Sequence, residues 1–126
     1  MYDNLLFSLE EKRAILSLIM DMVTVDRKIH DDEIWMLQQV CKKFQLDPHD
    51  YSIAERLTPT QVAPIVKGMS LEKRKLTGYL LAATAAVDGD FADAEDSLYT
   101  MLASQCNLET GFTIREAFKV ADDFFK

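Results

Sequence analysis

Residues 80–95 read LLAATAAVDGDFADAE, from Leu80 to Glu95. The stretch opens as a helix of aliphatic and small residues. It breaks at Val87-Asp88-Gly89-Asp90 and restarts near Asp93 in a run of carboxylates. Ala82, Ala83, Ala85 and Ala86 allow a second helix to approach closely, while Leu80, Leu81 and Val87 supply bulk to pack against it. The same order of features occurs upstream in Leu18 to Glu33, LIMDMVTVDRKIHDDE. The offset, 88 − 26 = 62, pairs Leu18 with Leu80, Val25 with Val87, Asp26 with Asp88, Asp31 with Asp93 and Glu33 with Glu95. It also pairs Ile29 with Phe91, Met36 with Leu98, Val40 with Leu102 and Leu46 with Leu108. Self-similarity at a fixed offset marks a degenerate internal duplication, with copies over about 9–47 and 71–109.

Helical periodicity extends outward from these stretches, and no segment shows the alternation of a half-buried strand. Ser8, with Glu11 three residues on, has the spacing of a capping box and starts the first helix. Ile15, Leu18, Ile19, Met22 and Val25 recur at helical spacing, and Leu16, Met20 and Val23 widen the apolar surface until the helix reads as central. A second helix over about 31–44 carries Ile34, Leu37, Val40, Cys41 and Phe44 on one face. That stripe, centred near Leu37 and Cys41, turns Trp35 to the opposite side.

Asp47-Pro48 and Thr58-Pro59 each place a capping residue before a proline and open two short helices. Pro64 is expected to kink or shorten the second of these. Ser70 caps a fifth helix down to Val87, and a sixth covers about 93–107. The last carries Ile114, Ala117, Phe118, Ala121, Phe124 and Phe125 as its apolar stripe. With short connections and no Pro/Gly/Ser linker, residues 1–126 read as a single all-α domain. It would be a compact bundle of about seven helices built around two pseudo-repeated helix-turn-helix pairs.

Composition narrows the function. A length of 126 residues with 48% hydrophobic content supports a core without staples. No apolar run reaches the roughly 18 residues of a membrane span, because Asp21 and Asp26 interrupt the best candidate. The N-terminus lacks the layout of a secretory signal, so a cytoplasmic location is expected. Cys41 and Cys106 both fall on apolar stripes and read as buried free thiols. A net charge of −7 argues against nucleic acid as the main partner. There is no nucleophile elbow, phosphate-binding glycine loop or histidine cluster, so an enzyme is not expected.

The acidic turns carry the remaining chemistry. Gly89, Phe91 and Glu95 fall at the glycine, hydrophobe and final glutamate of an EF-hand loop. Its first two ligand positions, however, fall on Thr84 and Ala86, inside the preceding helix, so half the ligand set is missing and a true EF-hand is not expected. Two readings stay open. In one, Asp26 and Asp88 fold over their turns to accept backbone N–H groups, Glu33 and Glu95 reach back to the starts of their helices, and the pattern is a turn lock. In the other, carboxylates converge on a hard cation, calcium or magnesium. Asp88, Asp90 and Glu95 are then the main candidate ligands, with Asp26 and Glu33 a weaker set beside Arg27 and Lys28. An exposed Trp35 would suit a protein partner or a homodimer.

At these residues the chain resembles the TerB-like family, which includes tellurite-resistance TerB proteins and the N-terminal domain of the membrane-anchored co-chaperone DjlA. Ala86-Val87-Asp88-Gly89-Asp90-Phe91 through Glu95 is close to the family's A-D-G-x-(I/F)-x-x-x-E, with Val87 in place of alanine. Val25 through Glu33 looks like a second copy in which Arg27 replaces the glycine. The resemblance implies an all-helical, non-enzymatic bacterial domain, acidic residues that bind cations, and a link to stress or membrane-associated complexes.

Overall fold

A computed structural model describes residues 5–24, 31–86, 93–108 and 112–126, and for 93–96 the backbone alone. Seven helices account for most of these residues: α1 (Leu9–Thr24), α2 (Asp31–Phe44), α3 (Pro48–Arg56), α4 (Pro59–Lys67), α5 (Leu71–Ala86), α6 (Asp93–Cys106) and α7 (Ile114–Phe125). No strand occurs among the described residues. The all-α bundle expected from the periodicity is the architecture observed.

Capping chemistry sets the helix starts. Glu11 N–H donates to Ser8 Oγ at 3.1 Å, and Ser8 N–H donates to Glu11 Oε1 at 2.8 Å. Reciprocal boxes also open α3 at Asp47/Asp50, α4 at Thr58/Gln61 and α7 at Thr113/Glu116. Each satisfies amides that a helix start otherwise leaves unpaired. Pro64 is accommodated inside α4, which is only nine residues long and ends where Gly68 N–H donates to Pro64 O at 3.1 Å.

The duplicated pairs match in detail. Helix α5 starts where α1 does, displaced by 62, and α6 ends where α2 does, since 71 − 9 and 106 − 44 are both 62. Both pairs close on the same C-terminal turn. Gln45 and Asn107 adopt left-handed backbone, φ 57° and 58°. Leu46 N–H donates to Cys41 O at 2.9 Å, and Leu108 N–H donates to Ala103 O at 2.8 Å. This six-to-one bond with a left-handed residue is the Schellman closure. Lys73 Nζ meets Glu11 Oε1 at 2.9 Å, linking equivalent positions of the two copies. A contact between equivalent positions is what a two-fold relation produces.

Helix α1 is the hub. Ala14 through Met20 are all buried, with Met22 and Val23, and the helix packs against α2, α3, α4, α5 and α6. The run from Leu80 to Ala86 is buried in α5, which packs on α1, α6 and, most extensively, α7. There α7 presents buried Ala117 and Ala121, so small residues on both sides allow close approach. Thr77 and Thr84 are fully buried and donate their hydroxyls to Lys73 O and Leu80 O, at 2.8 and 2.7 Å. That satisfies groups which would otherwise be costly to bury.

Helix α2 departs from the expected packing. Its buried residues are Glu33, Met36, Val40 and Phe44, a narrow stripe centred on Met36 and Val40. Ile34 remains 40% exposed, while Leu37 and Cys41 are only half-buried. The stripe is thus rotated by about one residue from the sequence reading, while Trp35 stays outside it and exposed. The reason is tertiary: α1, α5 and α7 all pack on α2, and α7 meets Trp35 through Phe125. Cys106 is buried as expected, but Cys41 is half-buried, and both thiols are free. In α7, Ile114 and Phe118 are exposed rather than part of the buried stripe.

Candidate functional site

Two apolar hollows flank α2. On one side Trp35, 47% exposed, meets Phe125 edge-on, with ring centroids 6.1 Å apart and planes at 88°. Phe118, Lys119, Ala121 and Asp122 complete a hollow of about 390 Å³ between α2 and α7. Phe125 continues inward to Phe124 and Phe44, with centroids 5.7 Å apart in each pair. Trp35 therefore caps an aromatic chain that runs from the surface into the core. Phe118 and Phe125 lie seven residues apart on one face of α7, a spacing present in the sequence but assigned there to the core.

The other flank holds a larger hollow of about 580 Å³ among α1, α2 and α3. Met20 and Val23 form its floor, Leu37 and Cys41 one wall, and Tyr51 and Glu55 the other. Burial raises the Cys41 thiol above its ordinary value, with a further push from Asp50. Burial also raises the Tyr51 phenol, helped by the neighbouring Glu55. Both groups therefore stay protonated at neutral pH.

Beside this wall, Asp50 Oδ1 accepts from Arg13 Nε at 2.9 Å and from Nη2 at 2.6 Å, tying α3 to α1. The backbone N–H of Asp47 and then the Arg13 guanidinium hold the Asp50 carboxyl below its usual range. The box at Asp47 and Asp50 was legible in sequence. Its partner thirty-seven residues away was not, because nothing local announces it.

Of the acidic candidates, Asp26, Asp88 and Asp90 lie outside the described residues, as does the side chain of Glu95. Glu33 is described: it sits in the first turn of α2, is 2% exposed, and does not lack a partner. Among the described residues no group of three or more His, Cys, Asp or Glu side chains is placed to hold a metal ion. No helix is long and apolar enough to cross a membrane.

Neither a family model nor a curated protein matches the chain. A crystal structure of a protein of unknown function from Porphyromonas gingivalis W83 is similar over nearly the full length of both. It covers 94% of this chain and 98% of that one, at 26% identity and a TM-score of 0.78. The seven-helix arrangement is thus one that a second, divergent sequence also adopts.

Proposed function

We propose that the chain is a non-enzymatic, TerB-like domain that works as a protein-interaction module, taking an amphipathic helix of a partner into the α2–α7 groove. The observation that carries this reading is Trp35, half exposed at the end of an aromatic chain rooted in the core, with Phe118 exposed beside it. A rigid aromatic anchored at one end and wet at the other is the kind of residue that dominates interface energetics. The groove favours apolar side chains at helical spacing. The net charge of −7 favours a partner helix whose other face is basic, and it opposes a second copy of the chain.

The TerB-like assignment, with its link to stress and tellurite resistance, is supported by the motif over 86–95 and by the all-helical layout. A cation-binding role for the acidic turns is supported by the five carboxylates between Asp88 and Asp96 and by Gly89, which permits a tight turn.

Trp35 is the chain's single tryptophan, so its emission reports the groove directly. A leucine–lysine amphipathic peptide should shift that emission to the blue in a saturable way, and its leucine–glutamate counterpart should not. Phe118→Ser, at an exposed position, should weaken the response while leaving the far-ultraviolet spectrum unchanged. Equal responses to the two peptides, or none, would overturn the proposal. A shift that depends on protein concentration alone would replace the foreign partner with a second copy.

A further inference from the structure

The hollow on the opposite flank of α2 is separate from the aromatic groove and stands independently of the proposed partner. From its lining we infer that it binds a small apolar molecule bearing one cationic, amine-type head, with the apolar body between Val23 and Leu37 and the head at Glu55.

Size and lining suit a small molecule. At about 580 Å³ the hollow lies within the range of small-ligand sites, which are mostly apolar with a few polar groups at the mouth. Three helices contribute to it, so its shape is set by packed elements rather than by one exposed face. Its apolar lining comes from Met20 and Val23 on α1 and from Ile34 and Leu37 on α2. Ile34 is 40% exposed, a substantial apolar surface for a position facing a hollow.

The polar groups decide the head. Thr24 already directs its hydroxyl to Met20 O at 3.0 Å. Tyr51 and Cys41 are held in their neutral forms by burial and by the acidic groups beside them. Gln38 is neutral, which leaves Glu55 as the only ionised side chain among the described lining residues. On α3 the adjacent Arg56 does not line the hollow, and Asp50 is matched by Arg13. A carboxylate at the rim of an apolar hollow attracts a cation and repels a carboxylate. The hollow therefore discriminates by charge at the head and by apolar contact in the body.

Octylamine, octanol and octanoate share a chain length and differ only in the head, and binding of each can be followed by amide chemical shifts. Octylamine should bind about fivefold more tightly than octanol, the effect of one partly exposed ion pair, and octanoate most weakly. Glu55→Gln should bring amine and alcohol together. Glu72→Gln, which removes the same charge from α5, should leave the order intact and so exclude general attraction to an acidic protein. Leu37→Trp should fill the hollow and abolish binding of all three. Should that variant fail to fold, protection of half-buried Cys41 from a thiol reagent by octylamine supplies the second readout, with buried Cys106 as internal control. Absence of saturable binding, octanoate binding as well as octylamine, shifts centred away from Val23, Leu37 and Tyr51, or no protection of Cys41 would overturn the inference.

Discussion

Replacing Gln45 by glycine should stabilise the protein, although it removes a side chain and adds no contact. Gln45 occupies the left-handed region at φ 57°, where a Cβ crowds the following carbonyl at a cost of about 1–2 kcal/mol. Glycine escapes that cost but loses more freedom on folding, which returns roughly 0.5–1 kcal/mol. Gln45 is exposed, so its side chain contributes little packing. The net gain should be about 1 kcal/mol, near 4 °C in melting temperature for a chain of this size. Asn107 holds the equivalent position at φ 58° and is exposed as well. Asparagine tolerates this conformation better, so Asn107→Gly should gain less, on the order of half. Urea unfolding followed by circular dichroism tests both, with the midpoint rising at unchanged m-value. The turns are separate, so the double variant should show the sum. A neutral or destabilising Gln45→Gly, or a larger gain at Asn107, would refute the claim that both pairs close on the same strained residue.

Asp50 makes stability depend on acid. Its carboxyl is held below the ordinary 3.8 by the Asp47 N–H and by Arg13, so its contribution is complete above that value and is lost as pH falls through the lower folded value. Asp50→Asn should therefore be less stable than wild type at neutral pH, with the gap closing in acid; urea midpoints at both pH values check this, and a gap independent of pH would disprove it. For the acidic turns, calorimetry with calcium or magnesium should show weak heat that Asp88→Asn removes and Asp26→Asn largely spares, and silence at millimolar ion would leave the turn lock as the reading of those residues.

The legible features were those set by local chemistry. Ser8 with Glu11, Asp47 before Pro48 and Thr58 before Pro59 mark helix starts through bonds made within one turn, and each start lies where that spacing put it. Buried Leu80 through Ala86 followed from a run of small and aliphatic residues with no polar interruption beyond Thr84, which satisfies itself on Leu80 O. What failed was the rotation of α2. Its residues 34–37 are all apolar (Ile34, Trp35, Met36, Leu37), so the pattern around the helix has no sharp edge. Only the positions of α1, α5 and α7 decide which of the four faces inward. Arg13–Asp50 was hidden for the same reason, since α3 had first to be placed against α1.

The duplication sharpens where function is to be sought. Positions that hold the two pairs together agree between copies: Leu18 and Leu80, Val40 and Leu102, and the turns at Gln45 and Asn107. Positions on the flanks of α2 do not. Trp35 corresponds to Ser97, Ile34 to Asp96, and half-buried Leu37 to Tyr99, which is only 8% exposed. In the turns, Arg27 faces Gly89 across the alignment. If both copies served only to build the bundle, equivalent exposed positions would be free to drift toward ordinary polar residues, as Ser97 has. The first copy instead keeps a tryptophan and an isoleucine in contact with water, each lining a hollow beside α2. The second copy concentrates carboxylates where the first mixes them with Arg27 and Lys28. The apolar flanks of α2 and the acidic stretch of the second pair are thus places where the two copies diverge in sequence. If the binding proposed for each holds, a variant in one copy should leave the other's intact.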